Sequence, residues 1–252
     1  MGRNDDDSWK INMIAYTQQP RDCRKGQVYP LSENNRKTPT LVVGLTGQTG
    51  AGKSLVSSLL TDRGFQVIDC DDVARQVVEK GKHCLLDLSI AFGIEILNPD
   101  STLNRKKLAA IVFGDKEKQK MLGRITFPYI KAEIFDLIDR LHQSGEAVVF
   151  LDAPTLIESG VHKSCDKVVS VIAPPEERFL RIVRRDSLTA EEAGQRMSAQ
   201  HDDDFYRSKS QFVIVNDGDM TGLRVKVMEM LDVLGVPLPP QTEELPEAAE
   251  TV

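Results

Sequence analysis

The octapeptide Gly47-Gln48-Thr49-Gly50-Ala51-Gly52-Lys53-Ser54 fits G-x-x-x-x-G-K-[ST] and restricts what this chain can fold into more than any other stretch. The apolar run 41–45 before it reads as a buried strand, and residues 54–60 after it begin a helix. Glycines let the backbone bend tightly, so that N–H groups converge on the β- and γ-phosphates of a nucleotide. The new helix points its positive end at the same anion. Lys53 adds a point charge, and the Ser54 hydroxyl can hold the Mg2+ that bridges the phosphates. The plain alternative is a glycine-rich turn with a solvated lysine; a strand directly before and a helix directly after weigh against it. Binding of a nucleoside triphosphate is the expectation.

Composition narrows the class. The 252 residues suffice for one large domain or two small ones, and 40% hydrophobic with 28% charged residues is ordinary for a soluble globular protein. No apolar run approaches the roughly 20 residues that span a bilayer, and the Asp-rich start lacks the apolar stretch of a secretory signal. Cys23, Cys70, Cys84 and Cys165 are scattered without C-x-x-C spacing. They read as buried or free thiols in a reducing, cytoplasmic setting rather than as a zinc site or disulfide framework. The net charge of −6 is uneven: residues 1–39 are net basic, residues 237–252 carry four glutamates and no base, and the body between is mildly acidic. Such a body argues against a nucleic-acid surface, so anionic substrates must be met by local cation clusters.

Along the chain, residues 1–39 read as a flexible extension, with a short ordered piece at 11–16, and residues 237–252 as a disordered acidic tail. Between them lies a domain of residues 40–236. Strands are expected at 41–45, 65–69, 147–151, 167–172 and 212–215, alternating with helical patterns. That alternation implies an α/β fold with a parallel five-stranded sheet flanked by helices. Ligands then bind beyond the carboxyl ends of the strands. Residues 72–143 are too long for one crossover helix; breaks at Phe92-Gly93 and Asn98-Pro99-Asp100, and a cap at Asn104, suggest an inserted helical subdomain, either one that covers an acceptor, the favoured reading, or plain scaffold. Residues 175–211 form a second insert, opened by Pro175, Glu176 and Glu177 as a helix start.

Polar residues cluster at the strand ends. In an extended segment Asp69 and Asp71 share one side and Cys70 takes the other. Asp71 is either a carboxylate that accepts or orients a hydroxyl proton or the cap of a helix at 73–78. Asp152, after four apolar residues, either faces the phosphate loop or caps its strand. Arg178, Arg181 and Arg185 recur at i, i+3 and i+7 on one helix face, either an open basic face or, as its place at the start of the second insert favours, a mobile lid over transferring phosphate. The four histidines have no ligand spacing.

Taken together these segments resemble the dephospho-CoA kinase family over residues 41–234. The carriers are VGLTGQTGAGKS, VIDCDDVARQVV, FGIEILNPDSTLNRKKLAAIVF, LDAPTLIESG, APPEERFLRIVRRDSLTAEEAGQRMSAQ and FVIVN. The resemblance implies a P-loop kinase with a helical acceptor-binding insert (about 72–143) and a lid (about 175–211). ATP would lie on residues 47–54 and Leu55, with Asn216 near the adenine and Mg2+ on Ser54. Asp71 would be the base toward the ribose 3′-hydroxyl of dephospho-CoA, and Arg75 and Arg105 would hold that acceptor. Lys53, Arg181 and Arg185 would stand at the ATP phosphates. The implied partners are these two substrates, with no nucleic acid and no membrane. Phe127 stands where the family usually has His, Leu55 where it has Thr, Cys70 where it has Ala, and Ser210-Gln211 where it has Ala-Asp. Two other functions compete: a kinase of another small acceptor, such as a nucleoside monophosphate, and a GTP-dependent switch. The switch lacks the N-K-x-D that reads guanine.

Overall fold

The computed structural model describes residues 40–239. The extension 1–39, with its expected ordered piece at 11–16, and residues 240–252 of the tail lie outside the described residues. Five strands form one sheet: β1 Leu41–Gly47, β2 Gln66–Asp69, β3 Val148–Asp152, β4 Lys167–Ile172 and β5 Phe212–Val215. All pairings are parallel and the order is β2-β3-β1-β4-β5. The strand carrying the phosphate loop is therefore central, and the chain departs from it first to one side and then to the other.

Alternation along the strands explains the layers. Val42, Val149, Leu151 and Val168 face one apolar cluster, while Val43, Leu45, Val148, Phe150, Val169 and Val171 face another. The second cluster is closed by α1 Lys53–Thr61 and α9 Met220–Val233, through Val56, Leu59, Leu60, Leu223, Val227 and Met230. The first is closed by α2 Cys70–Gln76, α3 His83–Phe92, α4 Arg105–Val112 and α5 Lys116–Gln143. Strands buried on both faces read as unbroken apolar runs, which is why β3 and β4 stand out in the sequence.

The long stretch between β2 and β3 is helical as expected. Asn104 caps α4 by accepting from the Lys107 amide at 2.9 Å. Asp115 caps α5 by accepting from the Glu117 and Lys118 amides. At 28 residues α5 spans about 42 Å, and Ile130, Ile134 and Ile138 bury one stripe of it. Pro128 lies inside this helix at an exposed position, where the carbonyl it leaves unpaired can be met by water. Beyond β4, α6 Pro175–Asp186, α7 Ala190–Ser198 and α8 Asp203–Lys209 occupy the second insert. Pro175 is the first residue of α6, as its sequence predicts. A capping box between Thr189 and Glu192 opens α7. Tyr206 of α8 is fully buried with Ile157 and Ile172.

One local expectation is overturned. Asp69, Cys70 and Asp71 do not form an extended segment: α2 begins at Cys70, three residues before the expected start. The Asp69 carboxylate accepts from the Asp71 and Asp72 amides at 2.8 and 3.2 Å, so the capping residue is Asp69 and Asp71 belongs to the first turn. Cys70 then faces inward, where burial, followed by the nearby Asp152 carboxylate, holds its thiol well above the usual value. Burial likewise pushes the Cys84 thiol up to about 12. Both stay protonated and act as small core residues.

Gly44 lies in mid-β1, where an added Cβ would meet Leu156 Cδ2 at 2.4 Å and Cys165 Sγ at 2.9 Å. Gly44→Ala should lower the unfolding free energy by about 1–3 kcal/mol through overpacking, read from the shift of a urea denaturation midpoint.

Candidate active site

The phosphate loop leaves β1 at the carboxyl edge of the sheet and enters α1 at Lys53. Its glycines are required where the backbone turns. Gly47 has φ of +154°, and a Cβ there would sit 2.2 Å from the Val171 carbonyl oxygen. Gly52 has φ of +95°, with Asn216 Nδ2 2.3 Å from its would-be Cβ. Inside the loop the Ala51 amide donates to the Gln48 carbonyl at 3.1 Å.

Three successive loop carbonyls are held from outside. Arg178 Nε donates to Thr49 O at 3.0 Å, Arg181 Nη1 to Gly50 O at 3.4 Å and Asn216 Nδ2 to Ala51 O at 2.8 Å. Across a trans peptide the N–H points opposite to the C=O. With these carbonyls drawn into the protein, the Gly50 and Gly52 amides turn the other way. The Lys53 and Ser54 amides, in the first helical turn, have no intrahelical carbonyl to bond. Together they form a cluster of donors fit for an anion.

The charged groups are close by. Lys53 Nζ and the Ser57 hydroxyl, one helical turn apart, donate to the two oxygens of Asp152. Asp152 ends β3 and is 7% exposed. It is thus more than a strand cap: it fixes the lysine. Asp69 of β2 is its register partner, so the first turn of α2, with Asp71, begins on the strand next to Asp152. Arg75 lies one turn beyond Asp71 and pairs with Asp72. Arg105 opens α4, whose Leu108 and Val112 share a core with Val73 and Ala74 of α2. The acceptor-side candidates thus rest on helices packed into one unit.

The three arginines of α6 part company. Arg178 is 5% exposed and belongs to the loop's support, not to an open basic face. Burial pulls its guanidinium below the usual value, opposed by the carboxylate of Asp203. Arg181 is shared between Gly50 O, Asn216 O and the Glu177 carboxylate. Arg185 is exposed and pairs with Asp186, which also takes Arg196 at 2.7 Å. The i, i+3, i+7 spacing identified the shared face but not its depth.

Asn216 is 4% exposed, and its amide is engaged with the loop backbone. Leu55 is 44% exposed beside Ser54, also exposed. The Ser210-Gln211 pair has a structural use: Gln211 Oε1 accepts from the Val168 amide at 2.6 Å and Ser210 meets the Ser170 hydroxyl at 2.6 Å. Sequence reasoning missed Ser57, whose only signal was its place four residues after Lys53.

Among the described residues no group of three or more His, Cys, Asp or Glu side chains is placed to hold a metal ion. The exposed Ser54 hydroxyl would fit a cation that arrives on a polyphosphate and takes one ligand from the protein. Also among the described residues, no helix is long and apolar enough to cross a membrane.

A central phosphate loop in a parallel sheet of this order, its lysine held by a carboxylate on the neighbouring strand, defines a kinase of the P-loop type. The match to a family model described as "Dephospho-CoA kinase" spans residues 41–222. The chain belongs to the dephospho-CoA kinase family. It is 39% identical over 190 residues to the dephospho-CoA kinase of Listeria innocua, covering 75% of this chain and 95% of that one. The crystal structure of TT1252 from Thermus thermophilus aligns with a TM-score of 0.68 at 31% identity, over 79% of this chain and 99% of that chain. The dephospho-CoA kinase from Campylobacter jejuni aligns with a TM-score of 0.54 at 26% identity, over 76% and 95%.

Gly52→Ala should weaken ATP binding by at least about tenfold, because a non-glycine residue is strained at this φ and its Cβ displaces Asn216. Titration calorimetry of the purified variant measures this, and a melting curve near that of the parent separates it from loss of fold.

Proposed function

We propose that this chain transfers the γ-phosphate of ATP to the ribose 3′-hydroxyl of dephospho-CoA, giving coenzyme A and ADP, the last step of coenzyme A synthesis, in the cytoplasm. Beside the family membership, the observation that carries the reading is the juxtaposition at the sheet edge. Lys53 is bound to Asp152, and Asp69 at the start of α2 pairs in register with Asp152. The phosphate grip after β1 and the proposed acceptor-side carboxylate after β2 thereby flank Asp152, which ends the strand between them.

In this reading the amides of Gly50, Gly52, Lys53 and Ser54 receive the β- and γ-phosphates, and Lys53 turns from Asp152 toward them. Ser54 would hold Mg2+, which would supply positive charge against the phosphates. Leu55 and Asn216 border the nucleotide. Arg75 and Arg105 hold the acceptor. Asp71 accepts the proton of the 3′-hydroxyl as that oxygen bonds to the γ-phosphorus and the bond to the β,γ-bridging oxygen breaks. Arg181 and Arg185 meet the charge spread over the moving group. In-line placement of the two substrates supplies much of the acceleration, since the protein makes no covalent bond to either.

The direct test is to incubate the protein with Mg-ATP and dephospho-CoA and to look for coenzyme A by mass, with nucleoside monophosphates as rival acceptors. Phosphorylation of a nucleoside monophosphate but not of dephospho-CoA overturns the assignment. Lys53→Ala should lower kcat by at least about 100-fold while the variant keeps its melting profile. Asp71→Asn should lower kcat by about 10²–10⁴-fold and leave the ATP dissociation constant nearly unchanged. Equal losses in both quantities would make Asp71 a structural residue only.

A further inference from the structure

Gln200 lies in the short connection between α7 and α8, a place to which no role in the reaction has been given. Its Oε1 accepts from the Thr49 amide at 2.7 Å and from Arg178 Nη2 at 3.2 Å. Arg178 Nε in turn donates to the Thr49 carbonyl at 3.0 Å. The three residues close a ring. The side-chain pair occupies both polar groups of Thr49, where the peptides of a neighbouring strand would otherwise stand. Because these groups belong to the two peptides flanking Thr49, its φ and ψ are both restrained. One position earlier, Gln48 Nε2 donates to Asp203 Oδ1 at 2.9 Å and to the His201 carbonyl at 3.4 Å. The second and third positions of the loop are therefore tied to a four-residue stretch more than 150 residues away in sequence.

We infer that Gln200 is a positioning residue for polyphosphate binding. Its acceptor oxygen completes the ring that orients the Thr49–Gly50 peptide, and so aims the Gly50 amide at the β-phosphate. The inference rests on the kinase reading above. The restraint needs an acceptor that reaches both Thr49 N–H and the Arg178 fork at once. A methionine of the same length supplies no such oxygen, and an asparagine, one methylene shorter, falls short of both donors. Arg178 is buried, so without Gln200 its fork turns to other partners and its hold on Thr49 O loosens.

The test measures binding of ATP, ADP and AMP to the full chain and to Gln200→Met and Gln200→Asn. AMP lacks the β-phosphate at which the restrained amide points. Both variants should bind ATP and ADP about tenfold more weakly while AMP affinity and the KM for dephospho-CoA stay within about twofold. Combined with Arg178→Met, the Gln200→Met loss should not add, since both changes open the same ring. Unchanged ATP and ADP affinity in either folded variant overturns the inference, as does an equal loss for AMP, which marks general damage. Failure of both variants to fold also overturns it, because a positioning residue is dispensable for the core. If the parent itself binds no ATP, the kinase reading falls first; parental binding with unaffected variants sinks the role of Gln200 alone.

Discussion

The grip on three carbonyls, those of Thr49, Gly50 and Ala51, governs the site. A phosphate loop presents amides to an anion only if each peptide plane is turned the right way, and the planes have little intrinsic preference where glycines intervene. Here the orientation comes from behind, through side chains of α6 and of the residue after β5. Packing of those elements onto the sheet is thus converted into the direction of N–H bonds some residues away. Burying the Arg178 guanidinium would be costly without partners, and the loop carbonyl supplies one of them. Support and site stabilise each other.

The sheet performs the corresponding task for the insert α2–α5. Because β2 and β3 pair in parallel register, the capping carboxylate of Asp69 and the lysine-binding carboxylate of Asp152 are neighbours by construction. The insert α2–α5 packs on one face through a single continuous apolar cluster, with α5 as its spine. α2 and α4, which carry the candidates Asp71, Arg75 and Arg105, are held relative to the phosphate loop by the same sheet that holds the loop itself. Good alignment of two bound substrates requires such a shared frame.

Much of this was legible in the chain. The three inner strands announce themselves because residues buried on both faces leave apolar runs in a polar background, and the edge strands β2 and β5 show as shorter runs that are only partly buried. The cap at Asn104 and the helix start at Pro175 follow from local chemistry that needs no tertiary contact. Asp71 was misplaced because the extended geometry of the strand was carried past Asp69, whereas the Asp69 side chain captures two amides and begins the helix early. The depth of Arg178 was hidden for a different reason: periodicity tells which residues share a side, not what that side touches. Gln200 left no trace at all, since a glutamine in a polar connection looks like solvent-facing chain until the loop it meets is placed beside it.

The fastening of α6 also limits how it can shift. Arg178 and Arg181 are moored to the loop, while Arg185, about 6 Å further along the axis, faces outward with Asp186. Both moorings fall within the first seven residues of this twelve-residue helix, so a displacement that kept them would have to turn about the phosphate loop itself. Such a hinge would coincide with the anion cradle and leave its walls in place.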